Sequence, residues 1–214
     1  MNLTVTLLES DSEIRRRILN ALREDVSKTF SKAANKLFNP IKNLLIEALK
    51  QEPEYSSLKS GLLKYHFGIP DSSVVDDLVV KMADTLTFQN YPIKISNAGL
   101  SGGFSLTAIR SEDISGLLND PSAIMTDSER GYSLPWLEWL LLRNNEIIIR
   151  NYDVQLGPNP NSRTGQAIMV ESNKSWRVPA EFAGSQNNNW TTRAVDRLEN
   201  SIVKLIQDAI ETSI

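Results

Sequence analysis

The strongest constraint in this sequence is a run of apolar residues spaced by three or four positions that continues for about forty residues. After Asp11, which suits a helix cap, Ile14, Ile18, Leu22, Val26, Phe30, Ala33, Ala34, Leu37, Ile41, Leu44, Leu45 and Ala48 fall on one stripe. The stripe predicts helix over 11–48. Pro40 interrupts it, because proline has no N–H to donate and biases Asn39 away from α geometry. The stripe keeps its phase across Pro40, so the expected form is a kinked helix or two nearly collinear ones. At about 1.5 Å per residue the element would span about 60 Å. That is longer than a compact domain of this size needs and suits a helix that reaches a neighbour.

Shorter elements follow. The segment 52–55 (Glu-Pro-Glu-Tyr) ends the first helix, and 56–67 reads as one amphipathic helix with Leu58, Leu62, Leu63 and Phe67 inward. Residues 68–71 stop it and cap a helix over 72–86 that carries Val75, Leu78, Val79 and Met82 on one face. After Thr87 the period changes to two: 88–96 and 104–110 alternate as strands, with turns expected at 97–99 and 102–103. Residues 134–142 read as a short buried helix that starts at Pro135, and 146–156 and 166–170 as a second hairpin with a long exposed tip over 157–165. A short strand is expected at 176–178, a loop at 179–189, and a closing amphipathic helix over 190–212. The expected class is α+β in a single 1–214 domain, with a helical half over 1–86 and a mixed, mainly antiparallel sheet plus C-terminal helix over 87–214.

Composition removes whole chemistries. Among 214 residues there is no Cys and one His, His66, so thiolate zinc, iron–sulfur, Cys-nucleophile and two-imidazole sites are all excluded. With 23 Lys+Arg against 26 Asp+Glu, the formal charge of -3 gives little global attraction to nucleic acid or an anionic membrane. No apolar run approaches the ~18 residues of a membrane span, and the acidic start has no positive n-region, so no membrane crossing is expected.

The remaining polar features each have a plain reading. The glycine- and proline-rich 157–165 loop lacks the Gly-Lys-Ser/Thr ending of a nucleotide loop and precedes a strand, so it reads as a hairpin tip that touches a partner through Arg163, Pro158 and Pro160. His66 reads as a helix-terminal residue in favourable interaction with the helix dipole. Asp76 and Asp77 read as a solvated helix face, and Glu138, between Trp136 and Trp139, as the rim of a core or an interface. Arg15, Arg16 and Arg17 spread over more than half the helix circumference and read as a solvated face or an inter-subunit contact. Trp136 and Trp139 read as core, whereas Trp176 and Trp190, beside polar loops, read as interface candidates.

Particular strings resemble virion structural proteins of tailed bacteriophages. These are Glu-Pro-Glu-Tyr-Ser-Ser-Leu-Lys-Ser-Gly-Leu-Leu at 52–63, Leu-Pro-Trp-Leu-Glu-Trp-Leu-Leu at 134–141, Ser-Arg-Thr-Gly-Gln-Ala-Ile-Met at 162–169, Trp-Arg-Val-Pro-Ala-Glu-Phe-Ala-Gly at 176–184 and Asn-Trp-Thr-Thr-Arg-Ala at 189–194. Their order is similar to that of the neck and tail-completion (tail-terminator) proteins that join head to tail. The linker over 111–132 is longer than a minimal member would carry. None of these strings is a catalytic motif. The resemblance implies a non-enzymatic subunit of a homo-oligomeric ring, commonly a hexamer, set between the head connector and the tail tube. It implies a virion location after assembly in the host cytoplasm, with DNA only passing through the lumen, no cofactor and no metal. Two other readings stay open: a DNA-binding or packaging accessory that uses Arg15–Arg17, and a small hydrolase centred on Glu138 or His66.

Overall fold

The structure, a computed structural model, describes residues 9–96, 99–127 and 131–212. It is α+β: a long N-terminal helix, several short helices, small antiparallel sheets and a C-terminal helix. Helix α1 (Asp11–Gln51) carries Pro40 inside it. Its cap is Ser10 rather than Asp11. The Ser10 Oγ accepts from the Glu13 N–H at 3.4 Å while the Glu13 carboxylate accepts the Ser10 N–H at 2.9 Å, the reciprocal arrangement of a capping box.

The expected helix over 56–67 is two helices, α2 (Pro53–Ser60) and α3 (Leu62–Phe67). Helix α1 ends at Gln51, immediately before the 52–55 segment expected to close it, and Pro53 opens α2 in the first-turn position where a missing N–H costs nothing. The break falls at Gly61, and the Ser57 hydroxyl accepts the Leu63 N–H at 3.0 Å across it. Helix α4 (Ser73–Asp84) buries Val75, Leu78, Val79, Met82 and Ala83.

The strands form three separate two-stranded antiparallel ribbons. In the first, β1 (Thr87–Ser96) pairs with β2 (Gly99–Thr107). Strand β2 starts well before the expected Phe104, so Gly102 and Gly103 lie in the ribbon and not in a turn; Asn97 and Ala98, of the other expected turn, lie outside the described residues. The register shifts between Tyr91 and Lys94, where Pro92 cannot donate to the ladder. Opposite this irregularity Gly102 has φ 143, and a Cβ there would lie 2.6 Å from the Pro92 carbonyl oxygen. Only glycine meets both demands.

Helix α5 (Ser111–Leu118) and a 3-10 turn (Pro121–Ala123) occupy part of the expected linker, and β3 (Met125–Asp127) pairs with β4 (Tyr132–Leu134) in the rest. Helix α6 (Trp136–Leu141) buries Trp136, Leu137, Leu140 and Leu141. The third ribbon pairs β5 (Ile147–Leu156) with β6 (Ala167–Arg177), so the segment at 176–178 continues β6 and adds no strand of its own. Helix α7 (Trp190–Glu211) closes the chain.

The chain divides into two compact units whose segments alternate, which is not the helical-half and sheet-half partition read from sequence. The first comprises Met1–Pro40, Thr87–Thr107 and Ile202–Ile214. Its interior holds Ala33, Ala34 and Leu37 beside an aromatic row in which Phe30 meets Phe104 at 6.0 Å, Phe104 meets Phe88 at 5.7 Å, and Phe88 meets Phe38 at 5.9 Å between ring centroids.

The second comprises Ile41–Leu86 and Ala108–Ser201 and contains the larger core. Trp190 is fully buried there and donates its Nε1–H to the Leu49 carbonyl at 2.8 Å, which fixes the start of α7 against the end of α1. Asn189 caps α7, its side-chain oxygen accepting the Thr191 and Thr192 N–H groups at 3.0 and 3.1 Å. Glu52 and Glu54 are 2% and 1% exposed beneath this helix start. Arg193 Nε lies 3.2 Å from Glu52 Oε2, Arg193 Nη2 donates to Glu54 Oε1, and Arg197 Nη2 lies 2.7 Å from Glu52 Oε1.

Candidate functional site

One concave feature of the second unit is an open groove of about 1090 Å³ walled by α3, the β3–β4 hairpin, α6 and the β5–β6 ribbon with its tip loop. Local sequence shapes each wall. Gly68, at φ 66, turns the chain out of α3 in the left-handed conformation, and the Ile69 N–H bonds back to Lys64 O at 2.9 Å. This leaves Tyr65, His66 and Phe67 on the groove, with Phe67 almost fully buried against Trp136, ring centroids 5.9 Å apart. On β5, Asn151 (φ 60) stands opposite three residues of β6 between the Arg150–Ser175 and Tyr152–Glu171 pairs. This bulge separates two pairs on the groove wall, Ile149 with Trp176 and Val154 with Met169.

Two trios of like composition stand in the groove. Arg163 Nη2 donates to Asp127 Oδ2 at 2.9 Å and to the Tyr132 hydroxyl at 3.2 Å, and its guanidinium carbon lies 5.9 Å from the Tyr132 ring centroid. Arg143 donates to Glu138 Oε1 from Nε at 2.9 Å and from Nη2 at 2.5 Å, and lies 5.9 Å from the Trp139 ring centroid. In each trio a cation is hydrogen-bonded to a carboxylate and stands over an aromatic ring, and Arg143 also lies 3.9 Å from Glu146 Oε2. The groove is therefore aromatic and close to charge-neutral.

His66 sits between the walls. Its Nδ1 accepts the Trp176 indole N–H at 3.1 Å, which assigns the ring proton to Nε2 in the neutral form. Burial holds its pKa below the ordinary 6.5, against a weaker pull upward from Asp153 and Glu181. The sequence reading of a dipole-stabilised cation is corrected accordingly: desolvation outweighs the helix end.

Other expectations change for equally local reasons. Arg163 turns inward, because the tip loop is tied into turns by Gly157 N–H to Gln166 O at 2.9 Å and Asn159 N–H to Gly165 O at 3.0 Å, and its side chain is 26% exposed. Pro158 and Pro160 on that loop are exposed as expected. Trp176 and Trp190, expected at an interface, are 4% and 0% exposed and serve as hydrogen-bonded core. Trp136 is core, and Trp139 is half-buried beneath Arg143. Arg15, Arg16 and Arg17 are exposed, with Arg17 Nη1 2.6 Å from Glu9. Asp76 is more than a solvated charge, since it accepts the Tyr55 hydroxyl at 2.6 Å and Lys59 Nζ at 2.5 Å; these two donors hold its pKa below the ordinary carboxylate value. The Tyr55 hydroxyl, partly desolvated and facing that carboxylate, is pushed up to about 12.

The Glu52–Glu54–Arg193–Arg197 cluster went unread in sequence, since nothing local links residues about 140 positions apart. The chain matches no family model, no curated protein and no solved structure. Among the described residues no helix is long and apolar enough to cross a membrane, and no group of three or more His, Asp or Glu is placed to hold a metal.

Proposed function

We propose that this chain is a structural subunit of a tailed-bacteriophage neck, of the head-to-tail joining and tail-completion type, and that it works by assembling into an oligomeric ring between head connector and tail. The observation that carries this reading is the set of open ribbons. Each ribbon has only two strands, so each presents two unpaired edges among the described residues, and β5–β6 exposes Ile147, Ile149, Leu156 and Ile168 as well. Such edges and apolar side chains are completed by another chain. A ring supplies that chain through heterologous contacts repeated around an axis.

The strings that carry the family resemblance all lie in the second unit, where 189–194 meets 52–63 through Arg193 and Glu54, and 176–184 meets 134–141 through the Gly184 N–H and the Leu140 carbonyl at 3.0 Å. The two residues of the hydrolase alternative, His66 and Glu138, are engaged by Trp176 and Arg143. The test is co-expression with the products of the adjacent genes, followed by negative-stain microscopy and light scattering. Rings that contain this chain are expected. A chain that stays unassembled with every such partner would overturn the reading.

A further inference from the structure

The first turns of α1 carry apolar residues that the fold does not cover: Ile18 is 54% and Leu22 47% exposed. At about 100° per residue they lie about 40° apart on the helix circumference, with Asp11, Arg15, Asp25 and Thr29 on the same face. Leu37, which faces the core, lies further round the helix, whereas buried Ala33 falls at the angle of Arg15 about five turns along, so the exposed pair continues the core-facing stripe toward the helix start. Ile14 and Val26, half-buried, flank the exposed pair.

This face reads as a palindrome about Asn20. Ile18 mirrors Leu22, Arg15 mirrors Asp25, Ile14 mirrors Val26, and Asp11 mirrors Thr29. In an antiparallel contact between two identical helices related by a two-fold axis at Asn20, every residue faces its mirror position in the other copy. Apolar residues would then meet apolar ones in the middle, and the Arg15–Asp25 pair would form twice, once at each side. An unrelated partner would leave no reason for the face to be complementary to itself.

We propose that the free protein pairs with a second copy of itself, antiparallel, through the α1 face centred on Ile18 and Leu22 and bracketed by Arg15–Asp25 ion pairs. The contact uses no residue of β5–β6 and does not depend on the virion reading. It buries the most exposed apolar side chains of α1 while the chain is not yet assembled.

The test uses the full chain in sedimentation velocity over micromolar concentrations at physiological salt. The wild type is expected to show a concentration-dependent dimer. Asp25→Arg and Arg15→Asp each set like charges against each other twice per pair, and each is expected to weaken the dimer about tenfold or more. Mixing these two variants restores both attractive pairs, so a heterodimer of wild-type strength is expected from two chains that pair poorly alone. Because the sequence has no cysteine, register can be read directly. An Ile18→Cys chain is expected to crosslink under oxidation to a Leu22→Cys chain, and neither to crosslink efficiently to itself. A wild type that remains monomeric, a dimer unaffected by the single reversals, a mixture that does not restore pairing, or crosslinking of Ile18→Cys to itself would each overturn the proposal. Capture of this face by a different protein while the pure chain stays monomeric would count among the overturning results.

Discussion

At the scale of single residues, the polar groups that matter most are those that burial leaves with one partner. His66 is neutral in the fold and its pKa lies below 6.5. The unfolded chain therefore takes up this proton first, so the contribution is complete above pH about 6.5 and is lost as pH falls through the interval between the unfolded and folded values. Denaturant midpoints are expected to fall between about pH 7 and about pH 5, a range above the ordinary titration of Asp and Glu. Trp176→Phe keeps an aromatic side chain, smaller than the indole, and removes the N–H donor. It is expected to cost about 1 kcal/mol at neutral pH and to move the His66 titration, followed by NMR, up toward 6.5. An unmoved titration would mean that the hydrogen bond does not help hold the ring neutral.

Buried Glu54 is the second such group, its ion-pair partner being Arg193, which also serves Glu52 beside Arg197. Arg193→Ala leaves buried carboxylate behind and is expected to cost about 3 kcal/mol, the low end for a broken buried pair because Arg193 itself reaches solvent. The reading is a lower denaturant midpoint with unchanged slope. None of this was legible in the sequence. A Glu in a Glu-Pro-Glu-Tyr string looks like a solvated helix start until the far end of the chain brings arginines to it.

At the scale of elements, legibility followed the strength of the period. The helices at 11–51, 73–84 and 190–211 were readable because their apolar residues recur at three and four positions over several turns. Two of the differences were made by glycine. Gly61 was read as part of one helix where the chain in fact breaks, and Gly102 and Gly103 were read as a turn where the ribbon in fact continues. A sequence shows that glycine frees the backbone, but only the partner strand shows what the freedom is for. At Gly102 it is for the Pro92 carbonyl. Gly102→Ala must either move that oxygen or abandon φ 143, and strain of this kind costs about 1–3 kcal/mol before any clash is counted. Hydrogen exchange should show faster amides across β1 and β2, with β5 and β6 unchanged. Faster exchange everywhere would mean that the ribbon does not open separately from the rest.

At the scale of the whole molecule, two surfaces ask for another chain, and they make different demands. The palindromic face of α1 suits one copy and closes on itself, whereas the open edges of β5–β6 can be satisfied by successive neighbours. The groove shares Ile149 and Ile168 with the exposed ribbon, but its two arginines are already held by Asp127 and Glu138. Of the contact candidates read from sequence, Trp176 and Trp190 turned inward and Arg163 became an anchor for its own loop, while Ile18, Leu22, Ile147 and Leu156 are among the exposed apolar residues that the sequence reading did not single out for contact. The two surfaces can be separated experimentally. Leu156 is 57% and Ile147 40% exposed, so Leu156→Glu with Ile147→Glu is expected to change stability by no more than about 0.5 kcal/mol per substitution. The same pair sets charge beside the open edges and is expected to abolish rings in co-expression with the adjacent gene products. Sedimentation of the pure variant should still show the α1 dimer, and Asp25→Arg should do the reverse, losing the dimer while keeping the ring. If Leu156→Glu with Ile147→Glu left ring assembly intact, the ribbon edges would not be the joint, and the neck reading would lose the observation that carries it.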